Sequence, residues 1–163
     1  METSSLTGRP VSADDLQFVM QVWNDERVAP TIGGPRTETQ LRERIAGWGD
    51  HWATHKCGAT LFHERMTGRP IGWGGLQHST IGIGQCLTVG YVIAADAWGR
   101  GYATEIATAS VAHAFSELDA GQVHASVLST NRASRRVLEK AGLSVHAEIG
   151  HGGHVEVIYI VER

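Results

Sequence analysis

The residues best suited to chemistry lie between Val89 and Glu105, where the chain reads V-G-Y-V-I-A-A-D-A-W-G-R-G-Y-A-T-E. An apolar, β-branched run ends at Ala94, a polar turn follows, and Gly99 and Gly101 punctuate a loop that opens into a helical pattern. A strand, a glycine loop and a helix start in that order leave backbone N–H groups unpartnered at the positive end of a helix dipole. Such a cradle suits a phosphate or diphosphate. Two familiar phosphate loops do not fit. A Walker A loop closes on Gly-Lys-Ser/Thr, whereas Tyr102 and Ala103 follow Gly101. In a G-x-G-x-x-G fingerprint counted from Gly99, the third glycine falls on Thr104, and the nearest acidic candidate, Asp119, follows a helical stretch instead of a strand. What remains is Trp98-Gly99-Arg100-Gly101-Tyr102-Ala103. By itself this could also be a tightly packed helix start with no ligand.

A second polar group runs from Asn131 to Leu143, N-R-A-S-R-R-V-L-E-K-A-G-L. Asn131 follows a strand-like run and opens a helix, which is the place of an N-cap. Ser134 falls in the first turn, where a hydroxyl and the helix dipole can stabilise developing negative charge. It could equally be a solvated serine. Arg132, Arg135 and Arg136 are candidates for phosphate contacts or simply an exposed helix face. Cys57 and Cys86 have no supporting His–Asp pattern, and buried structural thiols are the commoner role. His51 and His55 stand at i, i+4 without an evident third metal ligand. His63-Glu64 fails the H-E-x-x-H zinc pattern because Thr67 occupies the second histidine position. His151 and His154 flank a pair of glycines that reads first as a hairpin turn. The expectation is no metal.

The elements that must position these groups follow from periodicity and punctuation. Leu6 to Val11 is a short strand. Ser12 with Asp15 resembles a capping box, ahead of a helical face of Leu16, Val19, Met20 and Trp23. Asp25 to Arg36, with two prolines and two glycines, is a loop. Thr37 with Gln40 caps a second helix whose face is Leu41, Ile45, Trp48 and Trp52. Ala59 to Met66 and Ile71 to Gln77 are strands joined by Thr67-Gly68-Arg69-Pro70. A polar stretch from Ser79 to Gln85 leads to a strand over Leu87 to Ala94. The helix after the glycine loop presents Ala107, Val111, Ala114, Phe115 and Leu118 as its apolar stripe. Val123 to Leu128 is a strand, and Asn131 to Ala141 a helix stopped by Gly142. Strands at Leu143 to Ile149 and Val155 to Val161 close the chain. The order β-α-α-β-β-β-α-β-α-β-β is mixed α/β.

Whole-chain properties narrow the function. At 163 residues one domain over 1–163 is expected, with a core of useful size. A net charge of −3 argues against nucleic acid, whose phosphates need a basic surface. No apolar run reaches membrane-spanning length and the N-terminus lacks a cleavable signal pattern. Two cysteines make no disulfide framework, so a cytoplasmic setting is expected.

The loop Trp98–Ala103 resembles the acetyl-CoA diphosphate loop of the GNAT acetyltransferases, usually Arg/Gln-x-x-Gly-x-Gly/Ala, with Trp98 at the Arg/Gln position. W-G-R-G-Y-A-T-E is most similar to the RimJ/RimL-like branch of N-acetyltransferases. Asn131 to Leu143 resembles that family's N-x-x-S…L-E-K-x-G-F segment, with Leu143 in place of Phe, and the element order matches along essentially the whole chain. The resemblance implies a central, mostly antiparallel sheet splayed between the fourth and fifth strands. It implies binding of acetyl-CoA as co-substrate by Tyr91, Val92, Ile93, Trp98, Gly99, Arg100, Gly101, Tyr102, Ala103, Thr104, Asn131, Ser134 and Arg136. Ser134 and Asn131 are the implied catalytic pair, and a small-molecule or peptide amine the acceptor. No nucleic acid, membrane or metal is implied, and a homodimer is compatible. The alternative is an acetyl-CoA-binding regulatory module without turnover.

Two departures from the family's pattern are chemical. Thr88 stands where many members carry a glutamate base, and Leu138 where many carry a tyrosine acid. The loss of the acid is tolerable, because a thiol with a pKa of about 8.5 can leave as thiolate. Replacement bases could be His63, His78, His151, His154 or Glu156. The first two helices and their connection shape the acceptor pocket in relatives, so Trp23, Trp48 or Trp52 could line it, although core packing is the simpler role. Asp14, Asp15, Asp25, Glu26, Glu38 and Glu43 could attract a cationic amine or merely be solvated.

Overall fold

The computed structural model describes residues 1–163, with His151 described by its backbone only. Seven strands and four helices follow the expected order: β1 (Leu6–Pro10), α1 (Leu16–Trp23), α2 (Glu38–His55), β2 (Thr60–Glu64), β3 (Pro70–Ile81), β4 (Gly84–Ile93), α3 (Tyr102–Ser116), β5 (Gln122–Leu128), α4 (Arg132–Lys140), β6 (Ser144–His151) and β7 (His154–Glu162). They form one mixed sheet in the order β1-β2-β3-β4-β5-β7-β6. β4 and β5 pair in parallel at Thr88↔His124, whereas β1–β2, β2–β3, β5–β7 and β6–β7 are antiparallel. No helix among the described residues is long and apolar enough to cross a membrane.

The chain divides into two compact units, Met1–Gly75 with Tyr91–Ala103, and Leu76–Gly90 with Thr104–Arg163. In the first unit the two capping signals act where the sequence puts them. The Ser12–Asp15 box opens a single 3-10 turn at Ala13–Asp15 before α1 begins. Gln40 N donates to Thr37 Oγ1 over 3.3 Å while Thr37 N donates to Gln40 Oε1 over 3.0 Å, so α2 starts with two orphan donors satisfied. Gly47 and Gly49 do not interrupt α2; it stops at Lys56, in left-handed backbone at φ +58°. Val19, Trp23, Leu41, Ile45 and Trp48 pack with Leu61 and Trp73 into one buried cluster. Trp23 stacks on Trp73 with ring centroids 5.9 Å apart. Each fully buried aromatic of this size removes some 150–250 Å² from water, which makes this trio the main apolar anchor of the unit. The tryptophans singled out as pocket candidates are therefore core for Trp23 and Trp48, while half-buried Trp52 ties its indole N–H to Ala59 O at 2.9 Å.

In the second unit β5 and β7 pair continuously from Gln122↔Glu162 to Leu128↔Glu156. Val123, Ala125, Val157, Ile158 and Tyr159 are all buried there. Two expectations needed correction. The polar stretch Ser79 to Gln85, expected between strands at Ile71 to Gln77 and Leu87 to Ala94, is largely strand itself: β3 and β4 run through it to a turn at Gly82-Ile83. Cross-strand bonding supports the extension, with Thr88 Oγ1 lying 3.1 Å from Ser79 Oγ. The buried stripe of α3 is Ile106, Ala107, Ser110, Val111 and Ala114, and Leu118 lies beyond its end. Asp119 takes left-handed backbone at φ +50°, which no helix continues through.

Candidate functional site

The loop between β4 and α3 belongs wholly to the first unit through Ala103. β4 ends at Ile93, and its approach to β3 is close: a Cβ on Gly72 (φ +147°) would stand 2.1 Å from Val92 O. A 3-10 turn at Ala95–Ala97 follows, then Trp98, whose indole N–H donates to Ile93 O over 2.8 Å and leaves the ring about half exposed. Gly99 and Gly101 both have left-handed backbone, φ +76° and +83°, with Arg100 between them outside that region. Alternation of this kind turns successive N–H groups toward one concavity. A Cβ at either glycine would meet nothing within 4 Å, so the space before the helix start is open. No backbone carbonyl accepts from Gly99, Arg100 or Gly101 in the turns and caps of the described residues. The first turn of α3, Tyr102 to Thr104, adds more donors without an intrahelical partner. The loop therefore has room, donors and dipole for a diphosphate.

The side chains of Arg100 and Tyr102 do not face that concavity as free donors. Arg100 Nη1 donates to Glu64 Oε1 over 3.1 Å, and Tyr102 Oη donates to the same oxygen over 3.0 Å. Glu64 also accepts from Arg69 Nη2 at 3.0 Å and, on Oε2, from Thr67 Oγ1 at 2.7 Å. Arg69 reaches on to Asp96 Oδ2 at 2.9 Å. Bonds from Arg69, Thr67 and Tyr102 hold the nearly buried Glu64 carboxyl down at about 2, from an ordinary 4.5. What Arg100 and Tyr102 offer a ligand is thus main chain. Sequence reasoning missed Glu64, which drew notice only as part of a failed zinc pattern. Thr67 and Arg69 are near it in sequence, but its ties to the glycine loop span 36 and 38 residues and leave no local signal.

The second group lies in the other unit. Asn131 caps α4, its Oδ1 accepting from Ser134 N over 3.1 Å, which leaves the Nδ2 amide as its donor. Ser134 is half-buried in the first turn, and Arg132 and Arg136 are exposed. Arg135 is structural: its Nε donates to Tyr159 Oη over 3.0 Å, and that hydroxyl donates to Glu139 Oε1 over 3.1 Å. Thr88 Oγ1 lies 3.0 Å from Gln77 O, so the position of the family's glutamate holds a hydroxyl already engaged. Leu138 is buried.

Of the replacement bases, His63 is half-buried, and its pKa is lowered by burial and by Arg9. His78 and His154 are exposed, Glu156 Oε2 accepts from Ser126 Oγ at 2.9 Å, and the His151 side chain lies outside the described residues. His51 Nδ1 lies 2.7 Å from Cys57 O, and its ring centroid is 4.5 Å from that of His55. The acidic groups near the first helices are partly spoken for. Asp15 holds Arg9 through both carboxylate oxygens, at 2.8 and 2.6 Å, and Asp25 and Glu38 pair with Arg27 and Arg42.

Comparison with known proteins places the fold. Residues 5–144 match the family described as acetyltransferase (GNAT) domain. The chain is 29% identical over 122 residues to the uncharacterised Bacillus subtilis protein YkkB, spanning 75% of this chain and 71% of that one. It is 27% identical over 156 residues to the FsC-acetyl coenzyme A-N(2)-transacetylase of Aspergillus fumigatus, spanning 91% of this chain and 66% of that protein. Among solved structures, an acetyltransferase from Agrobacterium tumefaciens superposes with a TM-score of 0.87 at 24% identity, covering 100% of this chain and 94% of that one. The ribosomal-protein-S5-alanine acetyltransferase from Vibrio fischeri gives 0.82 at 14% identity, covering 99% and 95%. The aminoglycoside acetyltransferase AAC(6′)-Ib in complex with coenzyme A gives 0.81 at 19% identity, covering 98% and 95%.

Proposed function

The chain belongs to the GNAT acetyltransferase family, and from that premise we propose that it is an acetyl-CoA-dependent N-acetyltransferase of the RimJ/RimL-like kind, working as one domain over residues 1–163. The acceptor is a primary amine, either a peptide N-terminus or a small molecule. The observation that carries the reading is the open cradle at Gly99 and Gly101, with left-handed backbone at both positions and donors from the start of α3.

Acetyl-CoA supplies an acetyl group already activated as a thioester. Main-chain N–H groups from Trp98 to Thr104 hold its diphosphate, and Arg136, exposed on α4, adds long-range attraction for phosphate. Backbone groups of Tyr91, Val92 and Ile93 align the pantetheine arm, and Asn131 Nδ2 donates to it. Ser134, beside the α4 dipole, stabilises the departing thiolate. The amine attacks directly while both substrates are bound, and holding the two close and aligned supplies most of the rate enhancement. With the Thr88 hydroxyl bonded across the β3–β4 pair, no carboxylate base stands at that position, so the amine must arrive neutral. An α-amine with a pKa of about 7.7–8.0 is partly neutral at physiological pH; a lysine near 10.4 is mostly not. The N(2)-transacetylase and S5-alanine acetyltransferase named above are consistent with such an acceptor, and AAC(6′)-Ib keeps a small-molecule amine in view.

Measuring thiol release from acetyl-CoA across a panel of amines and N-terminal peptides tests this. Release that depends on an α-amine supports the enzyme. The engaged Thr88 hydroxyl favours one other reading, a regulatory module that binds acetyl-CoA without turnover; tight binding with no release by any amine would select it.

A further inference from the structure

Resting on the coenzyme-loop reading above, we infer that Glu64 is the positioning residue of that loop, and that Arg100 acts on the coenzyme through Glu64 and not as a phosphate ligand. Glu64 sits at the end of β2, on the hairpin leading into β3, remote in sequence from the loop it touches. One oxygen, Oε1, accepts from Arg69, Arg100 and Tyr102 at 3.0, 3.1 and 3.0 Å, three donors crowded onto an oxygen with two lone-pair sites. Thr67 fixes the other oxygen at 2.7 Å, so the carboxylate cannot rotate to follow a moving loop.

The attachment brackets the cradle. Arg69 joins Glu64 to Asp96, two residues before Trp98, and Arg100 and Tyr102 are held on either side of Gly101. Two left-handed glycines leave this stretch free to sample many backbones. The ties to a nearly buried, ionised carboxylate restrict it to the one in which its N–H groups converge. Preorganisation of this sort strengthens binding by removing the ordering cost at the moment of association. A guanidinium drawn onto Glu64 is also partly neutralised, so its charge is a weak asset to a phosphate, and its bond to the hairpin is the stronger contribution.

The test is calorimetry with coenzyme A on the full chain. Glu64→Gln is expected to weaken coenzyme A by about ten- to a hundredfold, because the ordering cost of the freed loop then falls at association, with raised KM and unchanged kcat in thiol release. Arg100→Ala is expected to weaken it as well, while the Glu64→Gln, Arg100→Ala double variant binds no worse than Glu64→Gln alone. Equal or tighter binding by Glu64→Gln, or a double variant that loses the product of the two single effects, would overturn the inference; the second outcome makes Arg100 a direct ligand. If Glu64→Gln does not fold, Tyr102→Phe and Arg100→Ala carry the test, each expected to weaken coenzyme A several-fold and less than multiplicatively together. A wild-type chain that ignores coenzyme A sinks the functional reading instead.

Discussion

The start of α3 and the start of α4 both put a helix dipole and polar groups where a ligand could sit, but they treat their orphan N–H groups in opposite ways. At α4 the chain answers the problem itself: Asn131 Oδ1 accepts from Ser134 N at 3.1 Å, a local cap available in the unfolded chain's own neighbourhood. At α3 the glycines at 99 and 101 leave the groups open, and a carboxylate on a distant hairpin holds the loop's side chains away from the opening. A helix end that caps itself is a structural end first, and whatever it adds to binding comes from the remaining amide donor. A helix end left open has donors to spare, which is what the proposed diphosphate would need.

The largest effect that would sharpen this contrast is expected from Gly101→Asp. It forces a side chain into left-handed backbone at φ +83° and sets a negative charge where a diphosphate is proposed. Coenzyme A affinity should fall by about a hundredfold or more, roughly 2.7 kcal/mol, read by calorimetry; unchanged affinity would mean that the cradle is misassigned. Next comes the pair Asn131→Ala and Asn131→Asp. Alanine removes the cap at about 1 kcal/mol, a fall of about 2–4 °C in Tm for a chain of this size, and the amide donor with it. Aspartate keeps the cap but not the donor, so Tm should hold while coenzyme A still binds several-fold more weakly. If aspartate binds coenzyme A normally, Asn131 is a cap and nothing more.

The third expectation is in acid. Glu64 titrates at about 2 in the folded chain against an ordinary 4.5. Because its folded pKa is lowered, it stabilises the fold above about 4.5, and that contribution is lost as pH falls toward 2. Asp15, held low by Arg9, adds to the same trend. Melting curves over this window should show Glu64→Gln losing less stability on acidification than the wild type; parallel curves would remove the carboxylate from the account. The smallest effect is assigned to Ser134→Ala. A fall in kcat of less than about tenfold with KM unchanged fits a group that acts only as thiolate forms, and a change in KM alone would assign it to ground-state binding.

Much of this was readable from the chain. The capping boxes at Ser12 and Thr37, the helix stop at Gly142 and the apolar faces of α1 and α2 depend on neighbours three or four residues away, and they form where those patterns put them. The glycine loop was equally plain, because positive φ and a following helix are local demands. What polarity hid has a tertiary cause. It put Ser79 to Gln85 outside the two strands, but strand partners set its conformation. Core packing was the simpler role for Trp23 and Trp48, and Trp73, well beyond them in sequence, supplies the partner ring.

The chain's own order of residue types thus determined the class of fold, the place of the glycine loop and the cap on α4, because short-range sterics and hydrogen bonds decide each of these. Tertiary structure alone decided what the charged side chains of the glycine loop do. Arg100 and Glu64, 36 residues apart, became partners only when the hairpin carrying one met the loop carrying the other, and an ion pair of that reach leaves no periodic mark in a sequence.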